Sequence, residues 1–301
     1  MKNLLIVVLA FLGFFHSAEA QRKNIKFTVL STGDGLSQKA VTSIFQDTQG
    51  YIWVGTQNGL NKYDAYSFQV FRHQSADSTT LIGNTINAIA EDSEGNIWVG
   101  TEGKGISVYN RETNTFKNFK AGLAPHTISN DNISFIHQAQ DGKVWIATAG
   151  NGVDCYDPKT QKFKHYGFDL NDPTRLRSQY IKQITSDSKG NVWIANDAGL
   201  TKVVKVGQDS VYFKTYLADI QNPKGLPNNY VKACAEAPNG MLWVASDGGV
   251  SMFNPESEVF TNYQHEPNNL NSLSNNYVKT LGVDPKGNVW VGSDGGVSML
   301  V

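Results

Sequence analysis

The chain has 301 residues, is 40% hydrophobic and 18% charged, and its 26 basic against 27 acidic side chains leave a net charge of −1. That balance argues against a nucleic-acid binder, which carries a basic excess, and the apolar fraction argues against a disordered chain. A chain of this size can bury about three quarters of its unfolded surface, so it needs no disulfide framework.

In chain order the first element is an address. Met1-Lys2-Asn3 precedes twelve apolar residues, 4–15, and then Ala18-Glu19-Ala20, the small-x-small pattern of a signal-peptidase site. Twelve residues reach only about 18 Å as a helix, too little to span a bilayer. No cysteine stands directly after the cleavage site, where Gln21 follows, and no second apolar stretch approaches spanning length. The expectation is a signal peptide, residues 1–20, followed by one domain, residues 21–301, that is periplasmic or secreted and has no membrane insertion after cleavage.

The rest of the chain repeats. Six tryptophans, Trp53, Trp98, Trp145, Trp193, Trp243 and Trp290, follow one another at intervals of 45, 47, 48, 50 and 47 residues. Three residues before each stands a glycine, and two residues after each stands Gly or Ala. Nine residues before each stands Ile44, Ile89, Ile136, Ile184, Cys234 or Leu281, an aliphatic-sized slot. Within one copy the predicted elements are a first strand around Ile86-Asn87-Ala88-Ile89, a turn at Asp92-Ser93-Glu94-Gly95 and a second strand at Ile97-Trp98-Val99. A glycine turn leads to a third strand, Ile106-Ser107-Val108-Tyr109, and a fourth carries Phe116-x-x-Phe119. Four short strands recurring every 45–50 residues predict the blades of a β-propeller. The sixth copy reaches Val301 without the fourth-strand pattern, while Phe27-Thr28-Val29-Leu30, ahead of the first copy, has it. The leading expectation is an all-β propeller of six blades, the last closed by the N-terminal strand. The other reading, a truncated part of a seven-bladed propeller, stays open.

The run Gly35-Leu36-Ser37, Val41, Ile44, Asp47-x-x-Gly50-Tyr51-Ile52-Trp53-Val54-Gly55-Thr56-x-x-Gly59-Leu60-x-x-Tyr63-Asp64 resembles the two-component regulator propeller repeat, and the resemblance covers residues 26–301. It implies the periplasmic sensor region of a Bacteroidetes-type hybrid histidine kinase, one that binds carbohydrate breakdown products and controls polysaccharide-utilisation genes. It also implies a kinase portion, downstream in the same protein or in a partner protein.

Catalytic signals are absent from the residues themselves. The five histidines after residue 20 have no i,i+4 partner at a zinc spacing, and there is neither a nucleophile elbow nor a phosphate-binding glycine loop. Asp47, Asp92, Asp187 and Asp284 stand six residues before their Trp, as turn-capping carboxylates would. Cys155 and Cys234 fall in non-adjacent copies, so both are expected as buried, unpaired thiols. No cofactor and no metal is expected.

One face of the propeller departs from uniformity. Three copies share a triplet at the start of the first strand: Tyr180-Ile-Lys182, Tyr230-Val-Lys232 and Tyr277-Val-Lys279. The turns that share their face carry Asp197, Asp247 and Asp294. Tyrosine offers a ring against which a sugar can pack and a hydroxyl for hydrogen bonding. Lysine offers an ammonium for a carboxylate or sulfate, and aspartate accepts from sugar hydroxyls. These nine residues are the expected ligand-binding set, for an oligosaccharide that is neutral or acidic. A protein-interaction scaffold and a propeller lyase are the competing functions.

Overall fold

The computed structural model describes residues 28–206, 210–219 and 221–300. The expected signal peptide lies outside them. Blade 2 shows how the repeat folds: Ile86–Glu91, Ile97–Thr101, Ile106–Asn110 and Thr115–Phe119 form an antiparallel meander in sequence order. Its second strand is buried along its whole length, because neighbouring blades cover both faces of the sheet. That explains the near-continuous apolar runs around each Trp. The same meander recurs at residues 41–71, 133–166, 181–216 and 231–263, and a sheet of three strands, Val278–Val283, Val289–Ser293 and Gly296–Leu300, forms blade 6. The fourth strand expected for it from Phe27–Leu30 begins outside the described residues, and residues 28–30 belong to no strand. All nine prolines fall in turns or linkers, as their missing N–H requires.

Five interfaces of one design hold the blades together. Each blade turns its Trp side toward the aliphatic side of the next. Trp98 and Ile106 of blade 2 pack on Ile133, Ile136 and Ile146 of blade 3. Trp193 and Leu200 of blade 4 pack on Val231, Cys234 and Val244 of blade 5. In blades 1 and 2 the small residue after the Trp belongs to this joint. At Gly55 a Cβ would run into Ser43 Oγ of the same blade and lie 2.8 Å from Ile86 Cγ2 of the next, so little beyond Gly, or Ala at a slightly wider joint, fits. The glycine that opens each third strand answers a different demand. Gly59 has φ +121°, and a Cβ there would lie 2.6 Å from the carbonyl oxygen of Phe71. No comparable interface joins blade 6 to blade 1 among the described residues. Ile44 on the aliphatic side of blade 1 is 69% exposed, and Trp290 on the Trp side of blade 6 is 46% exposed.

Candidate ligand-binding face

A β-bulge shapes this face. In every blade the register between first and second strands skips one residue. The skipped residues are Thr42, Asn87, Ser134, Lys182, Lys232 and Lys279. A bulged residue leaves the ladder and its side chain is re-aimed. In blades 1–3 that side chain latches onto the next blade. Thr42 Oγ1 donates to the carbonyl of Ile86, Asn87 Nδ2 to that of Ile133 at 3.1 Å, and Ser134 Oγ to that of Ile181 at 3.5 Å. In blades 4–6 lysines take the bulge, and the half-face is built differently.

Tyr180, Tyr230 and Tyr277, each two residues before its lysine, are 51%, 37% and 57% exposed. The second-to-third strand turn reaches back to two of them: Asp247 N–H donates to the carbonyl of Tyr230 at 3.2 Å, and Asp294 N–H to that of Tyr277 at 3.1 Å. Lys232 forms an ion pair with Asp247, and Lys279 Nζ lies 3.1 Å from Asp294 Oδ1. Asp197 instead accepts a hydrogen bond from Ser178 Oγ. The ammonium of Lys182 sits 5.1 Å from the ring centre of Tyr230 in the next blade, and that of Lys232 sits 5.5 Å from the same ring, both within cation–π range. Blades 4 and 5 are thus joined through Tyr230. No hydrogen bond, ion pair or ring contact ties Tyr277, Lys279 or Asp294 to the other two triplets among the described residues. Sequence reasoning placed the triplets but not the bulge that aims their lysines, since a bulge shows only in the pairing register.

The remaining polar residues serve the fold. Asp187 Oδ1 accepts from the N–H groups of Lys189 and Asn191 at 3.1 and 2.8 Å, as a turn cap should. The other oxygen takes the indole N–H. Trp53, Trp98, Trp193 and Trp290 donate to Asp47, Asp92, Asp187 and Asp284 at 2.7, 2.8, 2.9 and 3.3 Å. The constant Asp-to-Trp spacing carried that signal. His73 and His265 occupy equivalent linkers, each with Nδ1 2.7 Å from the carbonyl of a leucine eight residues on, Leu81 or Leu273. Burial pushes His137 down to about 4, and its Nε2 lies 2.8 Å from Ser186 Oγ of blade 4. Cys155 and Cys234 are buried and unpaired, and burial pushes both thiols up to about 12. At blade 3 a fully buried Asp154 faces His165 across the ladder. Its Oδ2 accepts from Ser129 N–H at 2.7 Å, and burial holds its carboxyl above the usual range.

The family model described as two component regulator propeller matches residues 35–58, 80–103, 225–248 and 272–295, which hold the linker, first strand and second strand of blades 1, 2, 5 and 6. These blades are two-component regulator propeller repeats. A histidine kinase of Formosa agariphila, Histidine kinase P4, is 41% identical over 76 residues, 25% of this chain and 5% of that protein. The extracellular domain of the hybrid two-component system BT3049 from B. thetaiotaomicron superposes with a TM-score of 0.65 at 25% identity, over 90% of this chain and 41% of that one. The chain therefore spans less than half the length of these relatives. Virginiamycin B lyase from Staphylococcus aureus, with a TM-score of 0.65 at 13% identity over 93% of this chain and 86% of that one, shares the fold alone.

Proposed function

We propose that this chain is the ligand-sensing propeller of an extracytoplasmic two-component sensor, exported through residues 1–20, and that it binds an oligosaccharide without turning it over. A kinase portion, in the same protein or a partner, would read out occupancy and control polysaccharide-utilisation genes. The observation that carries the binding reading is the repetition of a half-exposed tyrosine, a bulge-aimed lysine and a turn aspartate on three consecutive blades. Core tyrosines would be covered, and lysines needed only for blade contact would be replaced by the shorter latches of blades 1–3. The half-face offers rings for stacking, acceptors for hydroxyls and ammonium donors.

Thermal unfolding against a panel of neutral and acidic oligosaccharides tests this reading. A sugar at 100 times its dissociation constant adds about 2.7 kcal/mol, which raises the midpoint by roughly 5–10 °C in a domain of this size. Tyr230→Ala should abolish the shift, measured against that variant's own unliganded midpoint. A sharp transition that no sugar moves would instead favour a protein-docking scaffold.

A further inference from the structure

The three triplets are not electrostatically equal, and the cause is one residue. Two positions before each tyrosine stands a cap that accepts the tyrosine N–H: Asn228 Oδ1 at 2.7 Å in blade 5, Asn275 Oδ1 at 2.7 Å in blade 6 and Ser178 Oγ at 2.8 Å in blade 4. The asparagines accept through Oδ1 and donate nothing to Asp247 or Asp294 among the described residues, and these aspartates pair with their lysines. The serine hydroxyl donates its proton to Asp197. Lys182, exposed at the bulge, therefore pairs with no carboxylate among the described residues, and its ammonium is placed toward the Tyr230 ring. The same ring is flanked on its own blade by Lys232, whose charge Asp247 already neutralises.

Resting on the reading above, we infer that the sugar ligand carries an anionic substituent, a carboxylate or a sulfate, and that Lys182 holds it beside Tyr230. An anion there gains a charge-assisted hydrogen bond without breaking an existing ion pair. At Lys232 or Lys279 it would first have to displace an aspartate. The tyrosine ring supplies a packing surface next to the charge, so one sugar unit can be read at both its ring and its substituent.

Calorimetric titration of the full chain with three probes of equal length tests the inference: an oligogalacturonide, a sulfated oligosaccharide and a neutral oligosaccharide. The chain should bind one anionic probe in preference to the neutral one, and which anionic probe binds tells carboxylate from sulfate. Lys182→Met should weaken that probe by about tenfold or more and weaken the neutral probe by much less, so that the preference for the anion is lost. Ser178→Asn should do the same with every lysine intact, because it releases Asp197 to pair with Lys182. Equal binding of the anionic probe by chain and variants, or preference for the neutral probe, overturns the inference and leaves the sugar reading standing. If none of the three binds, both fall.

Discussion

Blade 4 and the two end blades are written in the same residues and live in different surroundings. Trp193 is 0% exposed and Trp290 is 46% exposed, although each stands three residues after a glycine, six after an aspartate and two before a small residue. Ile184 and Ile44 fill the same slot at 1% and 69% exposure. The repeat therefore encodes half-interfaces. A blade's Trp side and its aliphatic side acquire their energy only when the complementary side of another blade lies against them. Among the described residues blade 6 offers an unmatched Trp side and blade 1 an unmatched aliphatic side, so these two faces are the two halves of the joint that recurs five times between them.

The sharpest way to break this comparison is to truncate the same tryptophan in both settings. Trp193→Ala should cost about 3–5 kcal/mol, the range for emptying a buried aromatic site. Trp290→Ala should cost less than half of that, because much of its ring is already in water. Urea midpoints of the two variants check this. Equal losses would mean that the end face is covered in solution.

That contrast also marks where the sequence stops being legible. The number of repeats, the strand order and the turn positions were readable because the aliphatic slot, the Asp-to-Trp spacing and the paired glycines recur in phase. The role of the small residue after Trp was not, since it depends on side chains the fold brings against it, Ser43 of the same blade and Ile86 of the next at Gly55. The exposure of Ile44 and Trp290 was hidden for the same reason: it depends on what lies beside a blade, not on what the blade contains. At the ligand-binding face the tyrosines, lysines and aspartates stood out by breaking the repeat. Their pairing did not, because it turns on hydroxyl against amide at Ser178, Asn228 and Asn275, a difference that looks conservative until the hydrogen bonds are drawn.

A pH titration sharpens the comparison at an interior joint. The residues opposite each Trp on the first strand are Phe45, Ala90, His137, Thr185, Ala235 and Gly282, so only the joint between blades 3 and 4 titrates there. His137 ionises near 6.5 when exposed and near about 4 in the fold, held neutral by burial. Between those values the unfolded chain takes up a proton that the folded chain refuses, and stability falls as pH falls. Above 6.5 the residue is neutral in both states and contributes no pH dependence. The loss should reach about 2–3 kcal/mol by pH 4. Denaturant midpoints at pH 7 and pH 4.5 should differ less in His137→Gln than in the unaltered chain. An unchanged slope would place the acid sensitivity elsewhere.

The smallest expected effect concerns the carboxylate beneath the tryptophan. Asp187→Ala removes the acceptor of a fully buried indole N–H and of two turn N–H groups. Leaving such donors without a partner should cost about 1–3 kcal/mol. Asp284→Ala removes the same set around Trp290, where water can replace the carboxylate, so its loss should be smaller. Blades 3 and 5 carry Ala139 and Ala237 at this position. Trp145 and Trp243 in those blades are buried as well, so the carboxylate is dispensable to the fold as such. Paired thermal midpoints of the two variants decide the matter. Similar shifts would show that the indole of Trp290 is as secluded as that of Trp193, and that the end blade is sealed after all.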